Sequence, residues 1–183
     1  VPTTGNYSIS AAGASGGYTP NAIGGQGREI TVDVMLTAGD IIRVTVGQEG
    51  GRAEFSTPGY CGGGGGGTFI INQTTGNPIL IVGGGGGAGE GNNSYNATLN
   101  GVDAAAYNVE DGTNGTGYAG SWDVIGIGGV AGSGGTTNAG GSGGGGYNGN
   151  GQLGTYGGNI GNSYTNGALG GTNRDICGSG LTV

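Results

Sequence analysis

The sequence predicts an all-β chain that also carries polyproline II: a small antiparallel β-sandwich or jelly roll with a glycine-rich helix bundle inserted in it, and essentially no α-helix. Three observations carry this. Apolar and polar residues alternate with the period of a strand through the first third, 54 of the 183 residues are glycine, and in the second half the glycines recur at every third position. No stretch shows a capped apolar period of helical type; Val102 to Val109 is too short and is flanked by glycine. One domain is predicted over 1–183. It has a mainly β-framework at 7–82 with a glycine run at 62–67, a polyproline II bundle at 83–176 and a return strand at 180–183.

The strands follow in order. Tyr7-Ser-Ile9-Ser-Ala11 predicts the first. Ile30, Val32, Val34 and Leu36 then share one face while Thr31, Asp33, Met35 and Thr37 share the other. Ala38-Gly39-Asp40 breaks that run as a turn, and Ile42, Val44 and Val46 continue the apolar face against Arg43 and Thr45, so 29–47 reads as a β-hairpin with one buried side. Thr68-Phe-Ile-Ile71 and Ile79-Leu-Ile-Val82 form a second pair around a turn holding Gly76 and Pro78, which are expected not to extend a ladder. Gly180-Leu-Thr-Val183 is the predicted last strand.

The glycines predict the rest. One register runs through Gly126, Gly129, Gly132 and Gly135 and resumes at Gly141 and Gly144; others run Gly140 to Gly149, Gly151 to Gly157, and Gly158 with Gly161, then Gly167 with Gly170. Polyproline II has three residues per turn and no internal hydrogen bonds, so one residue in three lies along each edge, where glycine lets neighbouring backbones approach and bond. Re-phasing after a few triplets reads as several short helices packed together, and the glycine runs at 62–67 and 83–87 predict that such helices begin there too. The bland alternative is a disordered linker. Collagen is excluded because Pro2, Pro20, Pro58 and Pro78 all lie outside the periodic block, and calcium-binding nonapeptide repeats because no aspartate lies between Asp123 and Asp175. Fixing each glycine costs about 1–2 kcal/mol of backbone entropy, so order requires nearly every N–H and C=O of a bundle to find a partner. Tyr147, Tyr156, Tyr164, Leu153, Ile160 and Leu169 are placed on its outer edges or as a seal against the sandwich.

Composition removes most chemistry. There is no lysine and no histidine, which takes away the commonest general base, metal ligand and Schiff-base amine together. Of the scattered acids only Glu110 and Asp111 are adjacent, and they read as a solvated loop, so no enzyme, catalytic residue, cofactor or metal is predicted. A net charge of −7 argues against nucleic acid and anionic membrane surfaces, and no segment is apolar enough to insert in a membrane. Cys61 and Cys177 bracket the glycine-rich half without a metal-binding spacing; a disulfide is the favoured reading over free thiols, contributing about 5 kcal/mol in the chain-entropy model. N-glycosylation sequons begin at Asn6, Asn72, Asn92, Asn96 and Asn114, all outside the strictly periodic block, and point to an extracellular, secreted protein. The first residue is valine, from which a missing signal peptide, preceding domain or precursor segment is expected.

The run Asp40-Ile-Ile-Arg-Val-Thr-Val46-Gly47-Gln48-Glu-Gly50, then Cys61 and the glycines to Gly67-Thr-Phe69-Ile, then Pro78-Ile-Leu-Ile-Val82 and the glycines to Gly87, resembles a known module. It is similar to the extracellular glycine-rich domain of the anaplastic lymphoma kinase and leukocyte tyrosine kinase receptors, with related modules in secreted proteins and in phage tail fibres and adhesins. The resemblance covers most of 7–183 and implies a TNF-like β-sandwich carrying a polyglycine-helix bundle. The receptor module binds basic protein ligands, but no ligand-contact position matches here, and fold does not carry function.

The function expected first is structural: a secreted, glycosylated subunit of an extracellular fibre, filament or surface appendage, self-associating as a homo-oligomer. Val1-Pro-Thr-Thr4 is the segment expected to add to a neighbouring subunit's sheet edge, against the commoner frayed terminus. The alternative is an adhesin or binding module for glycans or a surface partner, with Tyr60, Tyr95, Tyr107, Tyr118 and Trp122 as stacking residues, although such aromatics pack loops more often than they bind sugars. Ice binding is a third possibility, disfavoured by the few, unevenly spaced threonines of the block.

Overall fold

The computed structural model describes residues 1–18, 20, 23–52, 62–90, 98–99, 144–152 and 160–169. Within these residues the chain is essentially all-β, with no α-helix and one 3-10 turn at Tyr164–Asn166. The strands are β1 (Gly5–Ala12), β2 (Glu29–Leu36), β3 (Ile42–Thr45), β4 (Thr68–Asn72), β5 (Asn77–Val82), β6 (Gly89–Glu90) and β7 (Thr98–Leu99). They form a β1-β2 sheet, a β3-β4-β5 sheet and a short β6-β7 pair, all antiparallel. The arrangement is consistent with a small β-sandwich.

The alternation of β1 and β2 places Ile9, Ala11, Ile30 and Val32 inward and Asn6, Ser8, Ser10, Thr31 and Asp33 outward. Ile9 faces Val32 and Ala11 faces Ile30 across the ladder, so this layer offers a single apolar face. β4 is buried at all five residues because both of its faces are covered. Ile70, with Leu80 and Val82 of β5, packs against the β1-β2 face, whereas Phe69 and Ile71 pack on the opposite side against Ala168, Tyr147 and Tyr164. Burial of each large apolar side chain contributes about 1.5–3 kcal/mol, so β4 is the centre of the framework.

Three sequence expectations need correction. Residues 29–47 contain two strands but no hairpin: β2 pairs with β1, and β3 pairs with β4. The Thr37–Asp40 turn instead carries the chain between layers, held by Thr37 N–H donating to Asp40 Oδ2 at 2.9 Å and by Gly39 in the left-handed region at φ 92°. The apolar face does continue from β2 into β3, since Ile30, Val32 and Ile42 all pack on the Ile70, Leu80 and Val82 cluster, but they reach it from two different sheets. Second, β5 begins at Asn77 and includes Pro78, which pairs with Ile71 where the register shifts between Ile70 and Ile71. Proline is tolerated there because β5 is an edge strand and the ladder is already irregular. Third, the glycine segments begin well before residue 62.

At one end of the framework, β1, β3 and β5 run out into residues 13–17, 47–51 and 83–88, while 24–28 and 62–67 lead into β2 and β4. These five segments bond backbone to backbone. Gly13 and Gly16 N–H donate to Arg28 and Gly25 carbonyls, Gly62 and Gly65 to Ala88 and Gly85, and Gly63 and Gly66 to Gly51 and Gln48. Those bonds extend the pairings of β1 with β2, β4 with β5 and β3 with β4. Others cross between the layers: Ala14 and Gly17 donate to Gly66 and Gly63, Gly25 and Arg28 to Gly86 and Gly83, and Gly85 and Ala88 to Ala14 and Gly17. All twelve bonds measure 2.8 to 3.1 Å, and in every pair the two donors stand three residues apart.

Packed sheets stand about 10 Å apart because side chains fill the gap. Here the gap closes to hydrogen-bond distance, which requires that no side chain intervene. A Cβ on Gly16 would overlap the carbonyl of Gly86, and one on Gly13 that of Gly83. Thr68 marks the change of regime: it is buried, its Oγ1 donates to the Ala12 carbonyl at 2.7 Å, and it accepts from Gly47 N–H at 3.1 Å.

Candidate assembly surface

Two features could carry an interaction with a partner: the open edge of the three-stranded sheet and the C-terminal aromatic face. β3 lies at one edge of its sheet, and among the described residues β4 is its one partner strand. Along and beside it, Ile41, Val44 and Val46 are 61%, 56% and 68% exposed. Ile42 and Val44 sit on the same face as Asn72 and Ile70, opposite which they pair, and Ile42 packs against the buried Ile70, Leu80 and Val82 cluster while Val44 stays exposed. An edge strand with unpaired backbone and exposed branched side chains is a template for another strand. On the other face Arg43 is exposed and its guanidinium lies 5.8 Å from the centre of the Tyr164 ring.

The aromatic face is built by residues from distant parts of the chain. Tyr147 and Tyr164 stack with ring centres 5.3 Å apart and planes 8° from parallel, and Phe69 of β4 tilts against Tyr164 at 5.2 Å and Tyr147 at 6.4 Å. Backbone bonds hold the two tyrosines in place: Tyr164 N–H donates to the Gly146 carbonyl and Thr165 N–H to that of Tyr147. Asn150 Oδ1 accepts from Ser163 N–H at 2.8 Å and from Asn166 Nδ2 at 2.9 Å. Gly167 at φ 99° and Ala168 at φ 55° then turn the chain so that Ala168 reaches Phe69 and Ile71. The tyrosines thus seal the outer face of the sheet, while Leu169 is exposed.

The structure separates the candidate residues. Asn6 is exposed on the outer face of β1. Asn72 is only 6% exposed, and its Oδ1 accepts from Thr74 and Thr75 N–H, so its side chain organises the 73–76 turn, and burial leaves a bulky glycan no room. Asn92, Asn96 and Asn114, the cysteines Cys61 and Cys177, the aromatics Tyr60, Tyr95, Tyr107, Tyr118 and Trp122, and the return strand 180–183 lie outside the described residues. So does most of the periodic glycine block.

The N-terminal segment is neither frayed nor free. Gly39 N–H donates to the Val1 carbonyl, the Val1 nitrogen to that of Asp40 at 2.7 Å, and Ala38 N–H to Thr4 Oγ1 at 2.9 Å. A segment so engaged with its own turn would have to release it before joining a neighbour.

Sequence reasoning missed the glycine segments at 13–17, 24–28 and 47–51. Their signal was present as Gly13 with Gly16, Gly24 with Gly27 and Gly47 with Gly50, each a single triplet step too short to stand out as a register. Among the described residues no helix is long and apolar enough to cross a membrane, and no group of three His, Cys, Asp or Glu could hold a metal. No family model matches the chain, and no curated protein is similar enough to be counted a relative.

Proposed function

We propose that this chain is a secreted structural subunit of an extracellular fibre, filament or surface appendage, and that its rigid element is the glycine stem. The observation that supports this most directly is the recurrence of inter-segment backbone bonds at intervals of three residues, within and between layers. That interval matches the three residues per turn of polyproline II, and our reading takes the five segments as the first helices of a larger polyproline II bundle on a TNF-like sandwich. A stem bonded along its length through backbone atoms resists bending without a large apolar core, which suits a chain that is only 33% hydrophobic.

Self-association is assigned to the β3 edge. Exposed Ile41, Val44 and Val46 would gain burial there that the single chain does not provide. The same reading puts an N-linked glycan at Asn6, exposed on the outer face of the other sheet and compatible with assembly through β3. Electron microscopy of the purified protein at high concentration tests it. Filaments or regular oligomers support the reading, whereas monodisperse particles of single-chain mass refute it.

A further inference from the structure

We propose that Asn148 is a site of spontaneous deamidation in the folded protein, and that two neighbouring Asn-Gly pairs are protected by the fold. Residues 144–169 contain three such pairs: Asn148-Gly149, Asn150-Gly151 and Asn166-Gly167. The reaction needs the backbone nitrogen of the glycine to reach the asparagine side-chain carbon. That nitrogen forms a bond to Cγ as its proton is lost, ammonia leaves, and a five-membered succinimide results. Water then opens either carbonyl of the ring, giving aspartate or, with the backbone routed through the side chain, isoaspartate. Water enters, ammonia departs, and no other reactant is required.

The three pairs differ in what holds the reacting atoms. At the second pair Gly151 N–H donates to the Gly161 carbonyl at 2.9 Å, and Asn150 Oδ1 is fixed by two donors. At the third, Gly167 N–H donates to the Tyr164 carbonyl at 3.2 Å, and Asn166 Nδ2 is tied to Asn150. Both nitrogens are therefore engaged, and both side chains are held by each other. Asn148 is exposed, and Gly149 is engaged through its carbonyl, which accepts from Gly146 N–H at 2.8 Å, while among the described residues neither the Gly149 nitrogen nor the Asn148 side chain makes a hydrogen bond. A glycine after the asparagine removes the Cβ that would hinder approach.

The position gives the change a consequence. Tyr147 stacks on Tyr164 and packs toward Phe69, so an isoaspartyl link at 148 lengthens the backbone beside the residue that seals the sheet. Deamidation also adds one negative charge to a chain that carries −7.

The test is incubation of the full chain at mildly alkaline pH followed by peptide mapping, with and without denaturant. In the folded protein the gain of about 1 Da is expected at Asn148 about tenfold faster than at Asn150 or Asn166, because those two wait on local opening. In denaturant the three rates should converge. Asn148→Gln should abolish the fast phase, and Gly149→Ala should slow it without altering the other two. Equal rates at the three pairs in the folded state, or a slower rate at Asn148, would overturn the proposal.

Discussion

Ile70 and Gly65 lie five residues apart and are ordered by opposite means. Ile70 is buried by Leu80 and Val82 and by the apolar face of β1-β2, so side chains hold its layer at a distance from the next. Gly65 donates its N–H to Gly85, and the space a Cβ would occupy is taken by the carbonyls of Ala14 and Ser15. In the framework the two layers are kept apart by what the residues carry; in the glycine stem they are joined because glycine stands at the points of closest approach. A framework core can shrink and partly collapse around a deletion, whereas the stem has no slack in which to place an added atom.

Four substitutions probe that contrast, beginning with the most severe. Gly16→Ala sets a methyl against the Gly86 backbone, which cannot rotate aside; a loss of about 5 kcal/mol, or failure to yield folded protein, is expected in chemical denaturation. Leu80→Ala removes a buried framework side chain and should cost about 3 kcal/mol with the fold retained, read as a lowered denaturation midpoint. If Leu80→Ala proved the more damaging of the two, the contrast between the regions would fail. Thr68→Val keeps the shape at the boundary but removes the hydroxyl that serves both Ala12 and Gly47, for a cost of about 2 kcal/mol. Amide exchange should locate that loss at the junction rather than in β4. Val44→Lys, at an exposed edge position, should shift stability by no more than about 0.5 kcal/mol while suppressing oligomers in sedimentation, since a charged edge opposes strand addition.

The framework strands were legible in the sequence because a period of two assigns inner and outer faces without reference to any partner. Ile30, Val32 and Leu36 on one side and Thr31 and Asp33 on the other are where that period puts them. The aromatic seal was legible only in part: Tyr147 and Tyr164 stood out as large residues among glycines, but nothing nearby in sequence names Phe69 as their partner. The candidate assembly edge was not legible, because Val44 and Val46 continue an apolar face that reads as buried. Val44 is exposed although Ile70, its partner across the ladder, is buried, a difference that no pattern along β3 itself records.

The amino-acid sequence by itself therefore determined where β1 to β5 extend, to within a residue or two, and which side chains of β1 and β2 turn inward. Tertiary structure alone decided that β2 joins β1 while β3 joins β4, and that Gly13, Gly47 and Gly65 belong to one bonded stem. The physical reason is that side-chain patterns record a residue's environment locally, whereas backbone hydrogen bonds are the same at every residue. Where glycine leaves only backbone, neighbours are chosen by the three-dimensional path of the chain.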